Sequence, residues 1–164
     1  MKKRTKKYQG PKPVSPVGGL VLVAAAIARG EQAAPLTGLQ QSDVGAAYWL
    51  SLENLRLGDA NEESWSAVVC ALNVGLALCE AEIAQEDYTE QFNAALTGAF
   101  RAKIRSNKNG GNFRLDGAAM RDIETALEIH DLQMQVATRG EVTAALQLVR
   151  DRVDSGNVFT EVEA

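Results

Sequence analysis

The chain has 164 residues, of which 46% are hydrophobic and 23% charged, the composition of one globular domain with its own core. A domain of this size needs no disulfide scaffold, and its many alanines and leucines, with only 5% aromatic residues, favour helices over sheet. Cys70 and Cys79 are nine residues apart, about 13 Å along a helix, which is too far for a disulfide. We therefore expect two buried thiols in a reducing, cytoplasmic compartment.

The net charge of −4 conceals a basic segment joined to an acidic body. Residues 1–12 contain no acid and six basic side chains, which are Lys2, Lys3, Arg4, Lys6, Lys7 and Lys12. Of the 17 basic residues this leaves 11 in residues 13–164, against 21 acidic ones, a net charge of −10. The charge run, the prolines and the lack of periodicity predict a disordered basic arm over residues 1–14, a layout typical of chains that bind a partner.

An apolar run over residues 17–28 follows the arm. A serine–proline pair just before it and Gly30 after it predict a helix over residues 16–29. Gly18 and Gly19 leave a strand as an alternative, and the preceding basic residues leave an export signal as another. The run is too short to cross a bilayer, so we expect no membrane partner.

Capping residues and glycine stops divide the rest of the chain into further helices. Thr37 and Thr138 each precede a glutamine or glutamate by three residues, the pattern of a capping box. The strongest break is the asparagine- and glycine-rich segment 107–112. The predicted helices cover residues 38–57, about 61–83, 86–105, 117–137 and 138–155. Residues 156–164 are expected to fray.

Residues 65–84 are apolar almost all the way round a helix. One polar line runs along it, because Ser66, Asn73 and Glu80 recur at seven-residue spacing. A helix that is apolar on two sides is surrounded by other helices. The sequence therefore predicts an all-α fold over residues 15–155, a five- or six-helix bundle around a central buried helix. We expect Asn73 to be mostly buried there, with a hydrogen-bond partner.

The helix over residues 117–137 also has two apolar faces. His130 lies on one apolar stripe, and Ile129, Leu132 and Val136 form a second line nearly opposite. Both faces need cover, which the segment 17–28 or a second copy of the chain could supply. We therefore predict a homodimer, with cover by that segment as the alternative.

Little in the sequence indicates catalysis. His130 is the only histidine, and on an apolar stripe it is expected to be a neutral, hydrogen-bonded core residue. Asp131 lies about 100° away from it on the helix, so the two form no obvious dyad. The residue three before His130 is Leu127, which excludes the Glu-x-x-His pair of helical di-iron sites, and Gly110-Gly111 matches no phosphate-binding loop. We expect no catalytic residue, no cofactor and no metal.

The segment between Glu90 and Asp116 contains no acid but several basic side chains. Those expected to form a binding patch are Arg101, Arg105, Lys108 and Arg114. They would contact phosphates or an acidic partner, or else balance the charge of the protein's own acidic surface.

Four stretches resemble small proteins carried by proteobacterial prophages and plasmids. Residues 6–14 resemble their basic, proline-containing opening, and residues 65–80 are similar as well. Leu115-Asp116-Gly117 and residues 126–134 resemble the most recognisable helix of that family. The family has no assigned activity, so the resemblance implies a phage or mobile-element origin and carries over no catalytic residue.

These observations predict a non-enzymatic accessory protein of a phage or mobile element. It would act in the host cytoplasm by binding a host or phage protein, in an anti-defence or regulatory role. The alternative is nucleic-acid binding through the basic arm and the patch. Since Tyr8 is the only aromatic residue in the arm, such binding would be sequence-nonspecific.

Overall fold

The computed structural model describes residues 16–83 and 86–157, which fold into six α-helices and no strand. The all-α prediction is confirmed, with six helices. The predicted basic arm and residues 158–164 of the predicted tail lie outside the described residues. The helices are α1 (Pro16–Arg29), α2 (Gly38–Leu57), α3 (Glu62–Glu80), α4 (Thr89–Lys108), α5 (Gly117–Val136) and α6 (Arg139–Asp154).

The helix starts follow from the capping residues. Thr37 and Thr138 form complete capping boxes with Gln40 and Glu141, and the side chain of Asn61 accepts a hydrogen bond from the backbone of α3. These side chains satisfy backbone N–H groups that have no partner inside the helix. Residues 16–29 form a helix rather than a strand. The helix α4 is shifted by three residues from the predicted range of about 86–105: it ends at Lys108, and at its start the carboxylate of Asp87 accepts a hydrogen bond from the backbone N–H of Thr89.

The central helix of the bundle is α3, as predicted. It packs against each of the other five helices. One side of it joins α2, α4 and α5 in a core that includes Tyr48, Leu72 and Phe92. Its other side joins α1, α5 and α6 around Ile27 and Leu78. The two apolar faces read from the sequence thus correspond to two hydrophobic clusters on opposite sides of one helix.

The second apolar face of α3 is covered partly by the helix α1 of the same chain. The helix α1 packs against α2, α3 and α6, and its Ile27 is fully buried. Within a single chain the second apolar line of α5 is exposed over its last two turns, where Leu132 is 57% and Val136 63% exposed. The physical reason is that α5 packs against α2, α3 and α4, whereas α6 turns onto α3 and α1. Association of two copies stays a prediction.

The closest approach in the core occurs at Gly75 of α3. A Cβ atom on Gly75 would overlap the ring carbons Cε1 and Cζ of Phe92, which is itself fully buried. The carbonyl of Gly75 also accepts a hydrogen bond from the side-chain amide of Gln133, at 3.1 Å. The contact with Phe92 requires a residue without a Cβ atom at this position.

Substituting Gly75→Ala is expected to destabilise the protein by about 1–3 kcal/mol, because a buried aromatic ring must move to admit one methyl group. Urea denaturation followed by circular dichroism measures this change. Gly19→Ala is the matched control, since Gly19 is helical and has nothing within 4 Å of a Cβ position. The control should keep or raise stability, by up to about 1 kcal/mol, through helix propensity. Equal stability of Gly75→Ala and the unmodified chain would contradict the close packing.

Candidate functional site

The only histidine lies in the core. His130 is buried on α5, with Nδ1 3.4 Å from Oε1 of Gln133 and its ring 5.5 Å from that of Tyr48. Burial lowers the pKa of His130 to about 4, because the charged imidazolium would lose its hydration. The residue is therefore neutral at pH 7, as expected from its apolar stripe.

The neighbouring carboxylate of Asp131 serves a different contact. It accepts hydrogen bonds from the hydroxyl of Tyr48 and from Nε1 of Trp49, the latter at 2.9 Å. Burial, and then the hydrogen bond to Asp131, raise the pKa of Tyr48, so its hydroxyl stays protonated as a donor. This carboxylate joins α5 to α2 and does not orient His130. The sequence carried no signal for these two hydrogen bonds, because Tyr48 and Trp49 are more than 80 residues away from Asp131 in the chain.

The predicted patch is a surface at the end of α4 and the loop that follows. Arg101, Arg105 and Lys108 recur at helical spacing on one face of α4. Nη2 of Arg105 donates to the backbone carbonyl of Arg114 at 3.1 Å, which holds the loop beside the helix. Arg101, Lys108 and Arg114 are exposed. We call these four residues the basic corner.

One acid, which the prediction left out, lies at this corner. Oδ2 of Asp116 is 3.4 Å from Nη2 of Arg105. The amide of Ala119, and then Arg105 and Arg101, lower the pKa of Asp116, so it stays ionised. The corner therefore carries three net positive charges. Of the other predicted binding residues, Lys2, Lys3, Arg4, Lys6, Lys7 and Lys12 lie outside the described residues.

A second surface was not predicted from the sequence. The helices α4 and α6 both pack against α3 and leave between them an open groove of about 580 Å³. Its floor and walls are mainly aliphatic and aromatic. They are formed by Trp65, Ser66, Val69, Cys70 and Asn73 of α3, Leu96, Phe100 and Lys103 of α4, and Val149, Arg152, Val153 and Asn157 at the end of α6.

The polar line of α3 marks this groove. Ser66 and Asn73 lie on its floor, and Glu80 continues the line to an ion pair with Arg152. Asn73 is mostly buried, as predicted, and its Nδ2 donates to the backbone carbonyl of Val69 at 2.8 Å. The line was thus a signal for the strip of α3 that no other helix covers.

One of the two cysteines, Cys70, lies at the groove. Both are free and half-buried, and burial raises the pKa of each thiol. Cys70 lies between the groove and a small apolar cavity of about 50 Å³ that also touches His130. The two thiols, predicted to be buried, are thus partly exposed.

Comparison with known proteins gives no matching family model, no matching curated protein and no matching solved structure. Over the described ranges, none of the helices combines the length and the apolar character that a bilayer span requires. The same residues contain no group of three or more histidine, cysteine, aspartate or glutamate side chains placed to hold a metal ion.

The buried histidine makes stability depend on pH. Its pKa is about 4 in the folded chain and about 6.5 when unfolded, so between these values the unfolded state holds more protons. Lowering the pH from 6.5 to 4 is therefore expected to remove about 3 kcal/mol of stability through His130. Urea denaturation at pH 7, 6, 5 and 4.5 measures the slope.

The variant His130→Leu isolates this contribution. It keeps an apolar side chain on the stripe and cannot bind a proton, so its stability should fall less steeply below pH 6.5. Carboxylates titrate in both proteins and cancel in the difference. Parallel slopes for the two proteins would show that His130 is not held neutral by burial.

Proposed function

We propose that this chain is a non-enzymatic accessory protein that binds an acidic surface of a protein partner through the basic corner. The observation that carries the proposal is that two cations at this corner are exposed and unpaired among the described residues. Within the described part of the chain, the side chains of Lys108 and Arg114 are exposed and have no ionic partner. Exposed cations without an ionic partner attract the carboxylates of an acidic partner surface.

The interior supports a binding role rather than catalysis. His130 is neutral and packed in the core, and the carboxylate next to it in sequence is engaged by Tyr48 and Trp49. A general base needs access to substrate, and this fully buried histidine has none.

The resemblance of residues 115–117 and 126–134 to prophage and plasmid proteins supports a mobile-element setting. In that setting the partner is a host or phage protein in the host cytoplasm, and the role is anti-defence or regulatory.

Nucleic acid is the second candidate, favoured by the six cations of residues 1–12. The described corner supports it less well. Arg105 is engaged with Asp116 and with the carbonyl of Arg114, which leaves few cations for phosphates. Duplex affinity depends on the number of phosphates neutralised, so the corner alone would bind weakly and lose that binding in salt.

Charge reversal tests the protein-binding proposal. Lys108→Glu combined with Arg114→Glu should lower affinity for the partner at least about tenfold, because like charges then face each other. Arg121→Glu combined with Arg150→Glu is the control, with the same charge change at two exposed residues of α5 and α6. The measurement is quantitative pull-down from host lysate with both variants, followed by titration of the recovered protein.

A mobility-shift experiment separates the two candidates. At about 150 mM salt we expect no shift of random-sequence duplex DNA by the intact chain. Strong, salt-sensitive binding that disappears when residues 1–12 are deleted would replace the protein-binding proposal with the nucleic-acid one. Loss of the recovered protein with the control pair as well as the corner pair would also overturn it.

A further inference from the structure

We propose that the groove between α4 and α6 is a binding site for a free long-chain carboxylate. Its alkyl chain would lie on the apolar floor of α3, and its carboxylate would meet the ammonium group of Lys103. The proposal does not depend on the basic corner. Lys103 lies about 200° around α4 from Arg101, so the two surfaces are on opposite faces of one helix.

The size and lining of the groove fit a small amphipathic ligand. Its volume of about 580 Å³ lies within the range of roughly 300–1,000 Å³ found for small-molecule sites, which often form between the helices of a bundle. The apolar contact surface comes from Trp65, Val69, Leu96, Phe100, Val149 and Val153. Apolar surface on three helices that converge on one strip favours a chain of methylene groups over a polar ligand.

The charges in the groove select the head group. Lys103 and Arg152 line it, and none of its described lining residues is acidic. Nζ of Lys103 lies 5.2 Å from the ring centre of Trp65 and 5.1 Å from that of Phe113, so two rings hold this cation in place. The side chain of Lys103 is only 25% exposed, which leaves its charge poorly hydrated. A carboxylate gains from this cation, an amine is repelled by it, and an alcohol gains little.

The ion pair that Lys103 now makes can be exchanged. Its partner is Glu62, whose side chain is 73% exposed. Surface pairs of this kind contribute little, about 0–1 kcal/mol, so a ligand carboxylate with its chain buried in the groove can take the place of Glu62. Arg152 is bound to Glu80, which is less exposed, and this makes Lys103 the better anchor.

The test uses dodecanoate below its micelle-forming concentration, with dodecylamine and dodecanol as matched probes. Isothermal titration calorimetry with the full chain should show binding of dodecanoate at least about tenfold tighter than of either other probe. Fluorescence of Trp65, recorded in the Trp49→Phe variant, should change on binding, since Trp65 lines the groove and is then the only tryptophan.

Three variants locate the site. Val153→Glu places an acid in the groove at a residue that is 59% exposed, so the fold is kept and dodecanoate binding should fall at least about tenfold. Leu148→Glu on the same helix lies outside the groove and should leave binding unchanged. Lys103→Gln should abolish the preference for carboxylate over alcohol, and Lys103→Arg should restore it.

Several results would overturn the proposal. One is no binding of dodecanoate; another is binding that Val153→Glu leaves unchanged. Binding to anionic lipid vesicles without binding to the free acid would assign the groove to a membrane surface. A dimer in analytical ultracentrifugation that Val153→Glu dissociates would assign it to a second copy of the chain. A preference that Arg152→Gln removes and Lys103→Gln does not would reject Lys103 as the anchor.

Discussion

The close approach of three helices at Gly75 is the contact on which the rest of the bundle depends. The ring of Phe92 from α4 lies against the bare backbone at this position, and Gln133 from α5 donates to its carbonyl. One glycine in the middle of α3 thus sets the distance to α4 and the rotation of α5. Because Gln133 also meets His130, the same contact places the neutral histidine in the core. Packing at native density and hydrogen bonding of buried groups meet at a single residue.

Much of the fold could be predicted from local sequence signals. Capping boxes at Thr37 and Thr138 and the glycine stop after α2 gave helix boundaries, since these signals act within one turn of the helix. The apolar residues on two sides of α3 predicted its central position. The neighbours of each face could not be predicted. Periodicity shows that Leu132 and Val136 share a face, but only the directions of α4 and α6 decide that this face stays exposed.

The two candidate surfaces could likewise be predicted only in part from the sequence. The basic corner was visible in the sequence because three of its residues recur along one helix face. The acid within it was not, since Asp116 reaches Arg105 only through the turn that closes α4 onto α5. The groove left a trace as well, in the polar line of Ser66 and Asn73. From the sequence alone this line is interpreted as part of a surrounded helix, because the separation of α4 and α6 that opens the groove involves residues far apart in the chain.

The arrangement of α4 connects these surfaces. One face of this helix carries Arg101 and Arg105 of the basic corner, and the opposite face presents Phe100 and Lys103 to the groove. Its buried residues lie between the two, with Ala95, Ala99 and Ala102 packed in the bundle. Small side chains let α4 lie close to its neighbours, so a shift of the helix at the groove would also move the basic corner. If the corner binds a protein and the groove binds a carboxylate, as proposed, this helix is a structural route by which one ligand would change the affinity for the other.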